Sequence, residues 1–170
     1  MGRAKIATYL NDHLGGAAAA IALLDRLAAT DGEAGFRVRM RDLRSELAED
    51  RRILETLIGR IGGTPSAPKQ VADRLAEKLA RLKVGSAPGD TLARFESLEL
   101  LAVGVLGMRC LWRTLDALDV PELSSTDFAA LAERAARQYE RVDAERLRLA
   151  PLALGEAESR YLRAAKSTAP

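Results

Sequence analysis

Apolar residues return every three or four positions along four long stretches of this chain, the spacing that lays one hydrophobic stripe along an α-helix. The first stretch, Ala4 to Thr30, carries Leu10, Leu14, Ala17, Ile21, Leu24 and Ala28, and a neighbouring stripe of Tyr9, His13, Gly16, Ala20, Leu23 and Leu27 widens its buried face. The second, Glu33 to Ile61, carries Phe36, Met40, Leu43, Leu47, Leu54, Leu57 and Ile61, and Asp50 is the one polar residue in that series. The third, Asp90 to Leu118, is the most apolar. Leu98, Leu101, Val105, Met108, Trp112 and Leu115 form its stripe, while Val103, Leu106 and Leu111 cover other faces. The fourth follows Val120-Pro121 and a Ser124-Ser125-Thr126 cap, and shows Phe128, Ala132, Ala135, Tyr139, Val142 and Leu149, with Arg146 intruding on the seam. Pro151 is expected to end or kink this helix, leaving Leu152 to Ala165 as a further short helix.

Turn residues separate the stretches. Thr30-Asp31-Gly32 closes the first, and Gly62-Gly63-Thr64-Pro65-Ser66-Ala67-Pro68 and Gly85-Ser86-Ala87-Pro88-Gly89 bracket a short amphipathic helix predicted over Lys69 to Lys83. No alternating strand pattern competes. The expected architecture is all-α: a four-helix bundle over residues 1–165, with a short extra helix in the connection between helices 2 and 3 and a frayed tail from Lys166 to Pro170.

Composition narrows the function classes. The chain has 170 residues, of which 48% are apolar but only 4% aromatic, so Leu, Ala, Val and Ile fill the interior. Twenty-six basic residues against 24 acidic ones leave +2, too little to imply a nucleic-acid or membrane partner. One cysteine, Cys110, and one histidine, His13, exclude an internal disulfide and two-histidine metal motifs. Asn11, Asp12 and His13 interrupt any secretory apolar run after the basic start, and no run reaches a bilayer span, so a cytoplasmic location is expected. Phosphate-cradling glycine loops, G-x-S-x-G, C-x-x-C and H-E-x-x-H are missing.

Placement of charge is more informative than its total. A short turn near Asp31 makes helices 1 and 2 antiparallel, which puts His13 level with Glu49 and Asp50. The turn near residues 122 and 123 likewise brings Glu99 level with Arg146. His13, Asp50, Glu99 and Arg146 are therefore a candidate buried polar site, read either as two structural pairs that fix bundle register or as one ligand pocket. The direction of helix 3 decides: antiparallel to helix 2 it gathers all four into one layer, and parallel to helix 2 it separates the pairs by about 13 Å. Arg134, Arg137, Arg141 and Arg148 read as a solvated face with Glu133, Glu140 and Glu145 interleaved. Arg37-Val38-Arg39-Met40-Arg41 reads as a solvated flank, Cys110 as an inert core thiol, and Met108 and Trp112 as core or interface residues.

Two helical hairpins joined by a long connection, with the start Tyr9-Leu10-Asn11-Asp12-His13-Leu14 and acidic residues inside the helices, resemble the ferritin-like superfamily over most of the chain. That resemblance implies a bundle whose di-iron members carry an inward Glu on two helices and Glu-x-x-His on the other two. This chain departs from the pattern. Helix 1 has no glutamate in its seam, helix 2 offers Glu46-x-x-Glu49 and Glu49-x-x-Arg52, helix 4 offers Glu140-x-x-Asp143 and Glu145-x-x-Arg148, and only Glu96 or Glu99 of helix 3 matches.

The leading expectation is thus a ferritin-like bundle without a di-iron site or other cofactor, leaning away from an enzyme. It would act through protein contacts or as a homodimer that buries part of helix 3 or the Ala-rich face of helix 1. The rival is a divergent iron or manganese protein using His13, Glu46, Asp50, Glu96 and Glu99. A third reading is a small ligand held around His13 and Asp50.

Overall fold

All four apolar stripes fold as helices. A computed structural model of the chain describes residues 2–30, 33–66 and 90–167. The helices are α1 (Gly2–Thr30), α2 (Ala34–Arg60), α3 (Thr91–Asp116) and α4 (Phe128–Ser167), with one 3₁₀ turn, Pro121–Leu123, between the last two. No strand occurs among the described residues. The helix predicted over Lys69 to Lys83 lies outside them.

Local chemistry sets the helix ends. Asp90 caps α3, its carboxylate accepting from the backbone N–H groups of Leu92 at 2.9 Å and Ala93 at 3.3 Å. The start of α4 is capped by Asp127, which accepts from the Ala130 N–H at 2.9 Å, and not by the Ser124-Ser125-Thr126 run. Gly62 closes α2 with a φ of 76°, a left-handed conformation that glycine adopts without a Cβ clash. At Pro151 the expected break does not occur: α4 runs through it to Ser167, so Lys166 and Ser167 are helical. Pro151 removes one N–H and frees the Leu147 carbonyl, but both residues are exposed, where water can take the bond.

The core divides into two clusters, and the order in which each helix visits them gives the topology. One cluster joins Leu10, Leu14 and Ala17 of α1, Leu54, Leu57 and Ile58 of α2, Met108, Leu111, Trp112 and Leu115 of α3, and Phe128, Ala132 and Ala135 of α4. The other joins Ile21, Leu24 and Leu27, then Phe36, Met40, Leu43 and Leu47, then Leu98, Leu101 and Val105, and finally Val142 and Leu149. Thus α1 and α4 run one way while α2 and α3 run the other. Helix α3 is parallel to α2, and the connection between residues 60 and 91 joins opposite ends of the bundle. Helix α1 packs on α2 and α3, and α3 packs on α4. The fourth seam, α2 to α4, is spanned by long polar side chains.

Burial follows the predicted stripes closely. Met108 and Trp112 are core residues, and Trp112 stacks on Phe128 with ring centroids 6.3 Å apart. Helix α3 differs on its outer side, where Val103 is 64% and Leu106 41% exposed. Cys110 is exposed too, which corrects the expectation of an inert core thiol: it follows Leu106 by four residues on that outer face.

Candidate functional site

A polar layer crosses the bundle where the two apolar clusters meet. Asp50 is 1% and Gln138 0% exposed, and each occupies a heptad slot that its neighbours fill with apolar side chains. In α4 the buried series runs Ala132, Ala135, Gln138, Val142, so the seam takes Gln138 rather than Tyr139, which is half-buried. Gln138 Nε2 donates to Asp50 Oδ2 at 3.0 Å and to Glu46 Oε2 at 3.3 Å. Arg134 donates to Asp50 Oδ1 and lies 3.6 Å from Glu49, and Arg141 binds Glu46 at 2.5 Å. Toward one end of the same seam, Arg39 pairs with Glu145 at 2.5 Å and Arg148 with Glu33 at 3.0 Å.

These contacts correct the reading of the α4 arginines as a solvated face in part: Arg137 is 65% exposed and pairs with Glu133 at 3.9 Å, and Arg148 pairs with Glu145 at 2.8 Å, as expected at helical spacing. Arg134 and Arg141 cross the seam to acidic residues of α2, and Arg148 to Glu33 at its N-cap. A rotation that turns them toward α2 also turns Gln138 inward and Tyr139 aside, which is why the two errors arise together. The sequence signal was Asp50, a buried acid that needed a donor.

His13 and Asp50 are brought to one cavity but not into a pair. The cavity, of about 30 Å³, is lined by both, with Gly16, Ala17, Ala20, Leu47, Gly104, Val105 and Met108. That volume suits one or two water molecules. His13 makes an edge contact with Tyr9 at 4.8 Å between ring centroids, and burial holds its pKa below 6.5 although the Asp12 carboxylate works the other way. Burial pushes the Asp50 carboxyl above its ordinary value of 3.8, outweighing the bonds from Gln138 and Arg134 that favour its charged form.

Glu99 and Arg146 lie far from this layer because α3 parallels α2. Arg146 approaches Glu99 only at 4.0 Å and binds Asp143 at 2.8 Å, while its guanidinium stands over the Phe95 ring. Glu99 is 58% exposed, so it is not a buried seam charge. The four candidate residues therefore do not form one site.

The set His13, Glu46, Asp50, Glu96 and Glu99 is not gathered either. Glu96 and Glu99 are exposed on α3, and Glu46 and Asp50 are engaged by Gln138, Arg134 and Arg141. Among the described residues, no three His, Cys, Asp or Glu side chains converge as a metal site would need.

Two open grooves flank the α2–α4 seam. One, of about 560 Å³, is lined by Glu46, Arg134, Arg137, Glu140 and Arg141. The other, of about 470 Å³, includes Arg52, Arg60, Ser125 and Thr126; Arg60 spans it, donating to Ser125 Oγ at 3.0 Å and Thr126 Oγ1 at 3.2 Å. No helix among the described residues is long and apolar enough to cross a membrane. Comparison of the chain with known protein families, characterised proteins and solved structures finds no match.

Proposed function

We propose that this chain is a ferritin-like helical bundle without a di-iron site, located in the cytoplasm, that works through protein contacts made by the outer face of α3. The observation that carries this reading is the contrast between the two sides of α3. Its inner side fills both core clusters, yet Val103 and Leu106 are exposed on the outer side. Surface residues of this kind, grouped on one helix face, mark contact surfaces. The interior gives less scope for chemistry. Asp50 and Glu46 are occupied by donors from α4, and the cavity beside His13 has room for no more than one or two water molecules.

The ferritin-like part of the reading is supported by the layout. Two antiparallel hairpins, with the end of α2 and the start of α3 at opposite ends of the bundle, match the arrangement of that superfamily. A test is elemental analysis of the full chain purified without chelator, combined with sedimentation of Val103→Glu and Leu106→Glu variants. Absence of iron and manganese, with association lost in those variants at unchanged melting temperature, supports the reading. Stoichiometric iron or manganese overturns it.

A further inference from the structure

The exposed face of α3 is complementary to itself. Glu99, Leu106 and Arg113 are all exposed and stand seven residues apart, so they lie along one line of the helix with a drift of about 20° per step. Val103 and Cys110 fall on the same face, three residues before and four residues after Leu106. Negative charge sits on one side of the apolar centre and positive charge on the other, at equal distances of about 10 Å. Turning a second copy through 180° about an axis at Leu106 superposes Glu99 on Arg113 with opposite sign and brings the exposed Arg109 level with Val103 of the partner subunit. Turning it into a parallel pair sets Glu99 against Glu99 and Arg113 against Arg113.

We propose that α3 pairs antiparallel with α3 of a second copy of this chain across a two-fold axis at Leu106, each Glu99 meeting Arg113 of the partner subunit. The proposal rests on the reading of the α3 outer face as a contact surface and names its occupant. Leu106 packs on its own symmetry mate, and Val103 packs beside Cys110 of the partner subunit. An isologous interface requires this reciprocity, since each contact occurs twice. Glu99 keeps its distant Arg146 neighbour on the inner flank and offers the outer flank to the partner.

Charge exchange and thiol placement test this together. Sedimentation equilibrium of the full chain gives the dimer constant, and Arg113→Glu should weaken it about tenfold or more, because both pairs become like-charged. Adding Glu99→Arg to that variant should restore the constant to within about threefold of wild type, with the melting temperature reporting that the fold is intact. Two Cys110 thiols lie about 12 Å apart along the axis in this register, beyond disulfide reach but within that of a short bis-maleimide. In a Leu106→Cys, Cys110→Ser variant the thiols meet on the axis and should oxidise to a covalent dimer. A wild-type chain that stays monomeric at 100 µM, or a dimer unaffected by Arg113→Glu, overturns the proposal; so does a dimer that joins Cys110 directly in a disulfide. None of these results brings metal into the bundle, so the absence of a di-iron site is judged separately by elemental analysis, and association that survives Arg113→Glu but is lost in Val103→Glu and Leu106→Glu overturns the antiparallel register while leaving the outer face of α3 as the contact surface.

Discussion

Arg134 of α4 reaches across the bundle to the Asp50 carboxylate of α2, and the two residues are buried to very different degrees: Asp50 is 1% exposed and the Arg134 side chain 24%. The difference makes the pair unequal under mutation. Without Arg134 the carboxylate keeps only the Gln138 bond and stays in the core; without Asp50 the guanidinium still has Glu49 at 3.6 Å and water. Breaking a buried pair costs most when the residue left behind is the buried one. Arg134→Met should therefore lose about 2–3 kcal/mol in urea unfolding, and Asp50→Asn about 1 kcal/mol. Equal losses, or the reverse order, would show that the carboxylate is not held in this way.

The same pair sets a pH dependence. Burial raises the Asp50 pKa above 3.8, so the folded state takes up its proton before the unfolded chain does. Its contribution to stability is fully present below 3.8 and is lost as pH rises through the raised value. Removing Arg134 withdraws a charge that opposes this shift, so the penalty of Arg134→Met should be smaller at pH 4 than at pH 7. A penalty independent of pH would contradict the assignment.

His13 works with the opposite sign. Its pKa is lowered by burial, so the unfolded chain binds the proton first and stability falls as pH drops through 6.5. Wild type should lose more stability between pH 7.5 and 5.5 than His13→Gln does. An imidazole NMR titration with its midpoint at or above 6.5 would refute the burial argument. Asp12→Asn should lower the midpoint further, because the Asp12 charge is what partly holds it up.

How far the sequence carries can be judged from Asp50 and Gln138. Helix positions and the two hairpins were readable because apolar spacing reports helices directly, and Asp50 stood out as one acid in an apolar series. Its partner did not. Shifting the α4 stripe by one residue exchanges Gln138 for Tyr139, and both choices keep the three-and-four spacing from Ala135 to Val142. Nor could the direction of α3 be read, since either direction satisfies the same stripes. That direction removes Glu99 and Arg146 from the layer of Asp50, so the four-residue site dissolved for a topological reason, while Cys110 moved outward for a rotational one.

Trp112 reports on the rotation of α3. It is fully buried against Phe128, and its Nε1 has no hydrogen-bond partner among the described residues. Its fluorescence should be blue-shifted relative to the unfolded chain and resist quenching by iodide. Trp112→Phe removes an unsatisfied donor along with some volume, and these effects oppose one another, so its cost should be under about 1.5 kcal/mol. Trp112→Ala should cost about 3–5 kcal/mol. A quenchable tryptophan would place this face of α3 outward and undo the core assignment.

Pro151 tests whether α4 is one helix. Inside a helix a proline costs about 3 kcal/mol, from the missing N–H and the clash with the carbonyl four residues back. In return its ring restricts the unfolded chain, which offsets about 0.4–1 kcal/mol. Leu149 on the near side of Pro151 is buried in the second apolar cluster, so the helix around it is tied to the core. Pro151→Ala should then raise stability by about 2 kcal/mol, because it restores the bond to Leu147 without disturbing any packed side chain. If α4 ended at Ala150 instead, alanine would restore no bond and would loosen the unfolded chain, and the variant would be no more stable than wild type. The sign of the change in melting temperature decides between a continuous helix and a break.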